Sequence, residues 1–342
     1  MTTDPDHGER AELRAGDFAL ESGAVLADAR IGFRTYGSLA ADGDNAVLLF
    51  TYYTGDDRSY QPWIGPGRAL DPTELFVIVV DHFGGGVSSS PSTTATPADA
   101  PFPDITVADC TRAAELVLAQ LGVQRLRLVA GWSLGGMQSL EFAARNPGSV
   151  GAVFALCSAA RCGPVNEVFL DSVGATLLTG GRVVGADDPT VLERLDTFGR
   201  VYAGWAYCQQ FFTDEVYRQL GYTSPADVLD SWGRDHQGMH AGDLMATLRM
   251  WRAADGGGSL EALGVHLRRI TARVVLMPAV TDTYFTVAEN VLEATWLRDG
   301  QVRPLPSPLG HIAGRPGIRA KEQAAVDECL RELVTTTAPQ RI

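Results

Sequence analysis

The stretch VAGWSLGG (129–136) sets a serine between two glycines, Gly131-x-Ser133-x-Gly135, directly after an apolar run and directly before a helical pattern. Glycine at those two positions permits a sharp strand-to-helix turn that pushes the serine hydroxyl out beyond the end of the strand. Five-residue patterns recur by chance, so the strand–turn–helix context gives this one its weight. A serine hydroxyl is a poor nucleophile until a positioned base takes its proton. Where such an elbow operates, an Asp or Glu and then a His follow later in the chain, each on a loop after a strand. VTDTYF directly follows RVVLMPA (273–279) and puts Asp282 at the tip of a late strand. LGHIAG follows VRPLPSP and puts His311 in the last strand-to-helix loop. The chemistry these three residues suit is attack on an acyl carbon.

The competing assignments are weaker. His7 lies in a polar tail, His236, His240 and His266 lie in or beside a helical stretch, and His82 precedes the serine, which is the wrong order. Asp299 also precedes His311, but Asp299-Gly300 reads as a surface turn. Neither H-E-x-x-H nor paired Cys/His spacing is present, which argues against zinc, and no cofactor is called for. Acyl transfer also needs hydrogen-bond donors for the oxyanion. The backbone N–H of Leu134 is one candidate. The other comes from TYYTGD (51–56), where Tyr53 is the candidate donor; the alternative is that Tyr52 and Tyr53 simply pack.

These residues need a scaffold. AVLLF (46–50), LFVIVVD (75–81), LRLVAG (126–131), AVFALC (152–157) and RVVLMPA are continuous apolar runs, as in strands buried on both faces of a parallel sheet. ARIGFRTYG (29–37) is a further β-rich run. Helical patterns at 107–122 and 135–148 alternate with them, which predicts a doubly wound α/β domain. The rhythm breaks over 161–258, where amphipathic helical segments (188–212 and 242–255) replace strands. This predicts an α/β core of residues 1–160 and 259–342 with a helical lid, residues 161–258, ending at DGGGS (255–259); the alternative is extra packing helices without a gating role. The termini and residues 92–103 read as loose. The net charge of −13 argues against nucleic acid as a partner. No apolar run reaches the ~20 residues of a membrane helix. The first ten residues lack an apolar signal region, and five cysteines without metal-knuckle spacing fit reduced thiols, so a cytoplasmic location is expected.

With these pieces placed, the chain resembles the homoserine O-acetyltransferase family of α/β-hydrolase-fold enzymes. The resemblance rests on RTYGSLAADGDNAVLL (34–49), TGD (54–56), IGPGRALD (64–71), GGGVSSSPS (84–92), GGMQSLEFAARNP (135–147) and TDTYFT (281–286). It implies a mostly parallel doubly wound sheet, a helical lid over a tunnel and a homodimer formed through lids. By position it implies Ser133, Asp282 and His311 as triad, with Tyr53 and Leu134 at the oxyanion hole. Two positions depart from the family pattern. Ile312 stands where the family carries an aspartate for the substrate ammonium, and Leu170 stands where it carries an arginine for the carboxylate. Seating a zwitterion against hydrocarbon is costly, so homoserine is not the expected acceptor. The ending G-H-x-A-G is similar to a divergent branch that includes short-chain esterases. Ile312, Leu170 and Trp132 are the candidate substrate contacts.

The sequence therefore predicts a serine esterase acting on an acyl ester of a small, uncharged or bulky substrate. The alternatives are an O-acyltransferase drawing on an acyl-CoA, an acyl-group elimination in a biosynthetic pathway, and a binding protein that has lost activity.

Overall fold

A computed structural model describes residues 8–94, 101–254 and 257–336. His7, part of the 92–103 stretch and Asp255–Gly256 of the expected lid boundary lie outside the described residues. An eight-stranded sheet forms the centre, in the order β1-β2-β4-β3-β5-β6-β9-β10. The strands are β1 (Glu9–Ala19), β2 (Val25–Tyr36), β3 (Ala46–Phe50), β4 (Phe76–Val80), β5 (Leu126–Trp132), β6 (Val150–Leu156), β9 (Arg273–Met277) and β10 (Gly300–Val302). The five continuous apolar runs are β3, β4, β5, β6 and β9, and all pair in parallel. Every residue of β3 and β4 is buried, because helices cover both faces of the sheet.

The ARIGFRTYG run lies within β2, which pairs antiparallel to β4. β1, which the sequence does not announce, pairs antiparallel to β2 at the sheet edge. It is charged and largely exposed, so it lacks the apolar run that marks the central strands. The expected helices are α1 (Val107–Gln120) and α2 (Leu134–Arg145). α1 starts at a capping box: Asp109 N–H donates to Thr106 Oγ1 (3.1 Å), and the Asp109 carboxylate accepts from Thr106 N–H (3.0 Å).

Between β6 and β9 the chain forms helices α3 (Pro164–Ala175), α4 (Val191–Ala206), α5 (Gln209–Thr213), α6 (Pro225–Gln237), α7 (Ala241–Arg252) and α8 (Leu260–Leu267). The stretch expected to lack strands contains a small hairpin, β7 (Leu178–Thr179) with β8 (Arg182–Val183), turned by Gly180-Gly181 at positive φ. Two-residue strands are too short to leave a pattern in sequence. α9 (Val287–Ala294) and α10 (Ala320–Thr336) complete the fold.

A buried ion pair ties β2 to the loop after β3. Arg34 Nε donates to Asp57 Oδ1 (3.1 Å), and the exposed Arg10 reaches Asp57 Oδ2 (3.3 Å). Breaking a buried pair leaves a carboxylate without adequate compensation. Arg34→Met is expected to lower stability by about 3–5 kcal/mol, read as a shift of the urea-denaturation midpoint.

Candidate active site

Ser133 follows β5 directly and sits at φ 58°, ψ −125°. Its neighbours leave no room for a different turn. A Cβ at Gly131 would meet the Gly135 carbonyl carbon at 2.2 Å, and a Cβ at Gly135 would meet Phe50 O at 2.2 Å. The phenol of Tyr60 braces the same corner, donating to Phe50 O (2.8 Å) and accepting from Trp132 N–H (2.9 Å). Ser158 Oγ donates to Ser133 O (2.7 Å) from the loop after β6.

Three loops bring together the side chains singled out in the sequence. His311 Nε2 lies 2.9 Å from Ser133 Oγ, and His311 Nδ1 lies 2.8 Å from Asp282 Oδ2. His311 sits on a 3-10 turn, Gly310–Gly314, and Asp282 follows β9. The carboxylate is fully enclosed, and its other oxygen accepts from the backbone N–H groups of Tyr284 (2.8 Å) and Phe285 (3.4 Å). Asp299 takes no part in this chain: its carbonyl accepts from Val274 N–H beside β9.

Aromatic rings wall the imidazole. Trp132 stacks on it (centroids 5.2 Å, 25°), Tyr284 approaches at 4.7 Å and Phe285 at 5.7 Å. Trp132, expected as a substrate contact, thus lies against the His311 ring, with Tyr52 edge-on behind it at 4.5 Å. Leu170 on α3 and Ile312 beside the histidine are both buried among apolar residues.

The expected donors for an oxyanion have distinct supports. Leu134 opens α2, where the first N–H groups of a helix have no intrahelical partner. Among the described residues, neither the Leu134 nor the Tyr53 N–H has a protein acceptor. The Tyr53 segment is pinned at several points. Gln138 Nε2 donates to Thr51 O (2.9 Å), His82 Nδ1 lies 2.8 Å from Thr51 Oγ1, and Tyr53 OH donates to Leu244 O of α7 (3.0 Å). His82 is the buried histidine set aside on chain order; burial pushes it down to about 4, so it stays neutral at physiological pH as a structural partner of Thr51.

Sequence reasoning missed a polar layer behind the site. Asn166 Nδ2 on α3 donates to Tyr284 O (2.8 Å), and Asn290 Nδ2 on α9 donates to Ser158 O (2.8 Å). Their partners lie more than a hundred residues away, and no local pattern signals such a bond. The glycine-rich GGGVSSSPS loop docks on α7. Asp243 accepts from Ser92 N–H (2.9 Å) and Ser92 Oγ (2.5 Å), and Gly86 lies against the same carboxylate. Among the described residues no three His, Cys, Asp or Glu side chains converge as a metal ion would need. A groove of about 840 Å³ between α1, α2 and α8 is lined by none of Ser133, Asp282 and His311.

The comparisons with known proteins agree with this architecture. The family model for the alpha/beta hydrolase fold matches residues 45–198. The ethyl acetate hydrolase of Pseudomonas veronii is 29% identical over 98% of each chain. The acetyl esterase MekB superposes with a TM-score of 0.90 at 28% identity, over 96% of this chain and 98% of that one. The chain has the α/β-hydrolase fold. A homoserine O-acetyltransferase of Geobacter sulfurreducens is also similar, 29% identical over 87% of this chain and 90% of its own. No helix among the described residues of this α/β-hydrolase-fold enzyme is long and apolar enough to cross a membrane.

Glu293 lies buried behind the site on α9 and accepts from Ala160 N–H (2.8 Å); burial pushes its carboxyl up to about 8. From the usual glutamate range up to that value, the folded chain holds a proton here that the unfolded chain has lost. Stability therefore falls as pH rises through this window. Glu293→Gln, neutral at every pH, is expected to flatten that fall between about pH 5 and pH 8. Urea-denaturation midpoints measured across the range check it; an unchanged slope would refute the assignment.

Proposed function

We propose that the chain is a serine esterase that cleaves an acyl ester of a small, uncharged or bulky substrate through an acyl-enzyme. The observation that carries this reading is the continuous chain Asp282–His311–Ser133, with contacts of 2.8 and 2.9 Å. Ser133 Oγ attacks the acyl carbon while His311 Nε2 takes its proton. Asp282 holds the ring and stabilises the imidazolium that forms. The negative charge on the former carbonyl oxygen is met by the N–H groups of Leu134 and Tyr53, each donor contributing roughly 10²- to 10³-fold in rate. His311 then returns the proton to the departing alcohol. Water, deprotonated by His311, attacks the acyl-enzyme and releases the carboxylic acid and free Ser133.

Residues 161–258 are the lid in this reading. Its helices carry Phe169, Tyr202 and Trp251, whose rings pack on Tyr284 at 4.5, 6.2 and 5.7 Å, directly over the loop that holds Asp282. Leu170 and Ile312 supply hydrocarbon, which suits an uncharged acceptor side and disfavours an amino acid. The esterase names of two relatives with nearly full coverage support hydrolysis. A second reading, O-acyl transfer from an acyl-CoA to an alcohol other than homoserine, is favoured by the acetyltransferases that also match. Both readings share the acyl-enzyme and differ in whether water or an alcohol resolves it.

Incubation with p-nitrophenyl acetate and with acetyl-CoA, each with and without alcohols including homoserine, separates them. Acetate is expected as the product in every arm, without O-acetylhomoserine. Efficient formation of O-acetylhomoserine would sink the reading of Leu170 and Ile312. Ser133→Ala is expected to lose activity by several orders of magnitude, and a Ser133→Ala protein with full activity would sink the mechanism.

A further inference from the structure

In TDTYFT, Tyr284 stands two residues past Asp282, and its backbone is fully committed. The N–H donates to the Asp282 carboxylate (2.8 Å), and the carbonyl accepts from Asn166 Nδ2 (2.8 Å). The side chain is not committed. The phenol is buried, and among the described residues its hydroxyl has no hydrogen-bond partner. Trp251, whose ring stands edge-on to Tyr284 (5.7 Å, 81°), carries a second buried donor, Nε1, without a partner. The Tyr53 phenol, on a ring 6.5 Å from Trp251, is by contrast spent on Leu244 O. A buried donor left unsatisfied is costly, and folded chains rarely keep one without a use for it.

The place of this hydroxyl supplies the use. The Tyr284 ring lies 4.7 Å from the His311 imidazole, whose Nε2 is 2.9 Å from Ser133 Oγ. In ester cleavage that nitrogen returns the proton to the departing alcohol, so the alcohol portion is the part of the ester held against the imidazole. A short chain beyond the ester oxygen spans the contact between imidazole and phenol. The surroundings select the ligand atom. Tyr284 and Trp251 offer donors, so the partner is an acceptor. The rings packed on Tyr284, those of Phe169, Tyr202 and Trp251, bring no positive charge. An anion there would be desolvated close to the Asp282 carboxylate with no cation to pair it. A neutral oxygen carries neither cost. Burial, with the Tyr202 phenol and the Asp282 carboxylate nearby, holds the Tyr284 phenol well above its ordinary value, so it keeps its proton for donation.

We propose that the Tyr284 hydroxyl donates a hydrogen bond to a neutral oxygen (ether, carbonyl or hydroxyl) in the alcohol portion of the substrate, and so selects alcohols that carry one over hydrocarbon alcohols of the same shape. The inference rests on the ester-cleaving reading of Ser133 and narrows its substrate class. Leu170 and Ile312 disfavour charge, and Tyr284 adds one polar point to an otherwise apolar surface, the pattern by which an apolar site fixes the orientation of a small ligand.

2-Methoxyethyl acetate and butyl acetate have the same shape, but the first has an ether oxygen in its alcohol. The ratio of their kcat/KM values is expected to fall about tenfold on Tyr284→Phe. The ratio for phenyl methoxyacetate over phenyl butyrate, which place the same exchange in the acyl group, is expected to stay as it is. Each ratio compares two esters on one protein, so any change at His311 or Asp282 cancels. An unchanged ratio for the alcohol pair, or a fall confined to the acyl pair, would overturn the proposal. Phenylalanine keeps the ring and removes a hydroxyl without a partner, so the urea-denaturation midpoint is expected to hold or rise. A lowered midpoint with an unchanged ratio would mean that the hydroxyl holds a structural water only, which also overturns it. Tryptophan-fluorescence titration of Ser133→Ala and Ser133→Ala/Tyr284→Phe with the two acetates reads the same preference as a Kd ratio without turnover. A Kd ratio that depends on Tyr284, with no cleavage by the Ser133 protein, would remove the esterase reading and leave this contact standing. Cleavage with both ratios indifferent to Tyr284 would do the reverse.

Discussion

Ser133 sits at φ 58° and ψ −125°, a backbone geometry that residues with a side chain avoid, and β5 and α2 hold it there from both sides. Such a conformation costs roughly 1–3 kcal/mol and persists only where the surroundings over-determine it. Here they do. Gly131 lets the first turn of α2 fold back onto β5, Gly135 lets that turn lie against Phe50 O, and Gly136 packs on Ser158. Hydrogen bonds fasten the elbow to the neighbouring strand ends: Ser133 N–H to Leu156 O, Trp132 N–H to the Tyr60 phenol, and Ser158 to Ser133 O. Because β3, β5 and β6 are adjacent in the sheet, the elbow emerges between the loops that carry Tyr53 and Ser158. The position of the hydroxyl is thus a consequence of sheet order and of three absent Cβ atoms.

The imidazole is placed by different means. A histidine on a short 3-10 turn has two ring torsions to fix, and its hydrogen bonds to Asp282 and Ser133 fix the ring within its plane. Trp132, Tyr284 and Phe285 fix it out of plane. The same rings keep water from the Asp282 carboxylate, whose charge is met instead by His311 and by the Tyr284 and Phe285 N–H groups. In such an enclosure the attraction between carboxylate and imidazolium is stronger than it would be in water.

Much of this was legible in the sequence, for physical reasons that also explain the gaps. β3, β4, β5, β6 and β9 are apolar without interruption because both sheet faces are covered, and that run is the one strand signal that needs no alternation. β1 is a largely exposed edge strand rich in charge, and β7 and β8 are only two residues long, so composition carried no trace of them. Ser133, Asp282 and His311 could be picked out because chain order and loop position constrain them before any contact is known. Tyr60, Ser158, Asn166 and Asn290 could not. Each acts through a hydrogen bond to a backbone carbonyl, a group every residue has, so the side chain's partner leaves no mark at its own position in the sequence.

The helices between β6 and β9 do more in this architecture than cover a surface. Asn166 on α3 grips Tyr284 O, while the N–H of that same Tyr284 donates to Asp282. One residue thus links an inserted helix to the carboxylate that orients His311. α7 makes the matching connection on the opposite side, accepting from the Tyr53 phenol at Leu244 O and receiving Ser92 on Asp243. A shift of α3 would therefore be felt first at Asp282, and a shift of α7 first at the segment carrying Tyr53. Asp282 and Tyr53 come from separate core loops, and the helices between β6 and β9 add a hydrogen bond to each of those loops beside the ones the core supplies.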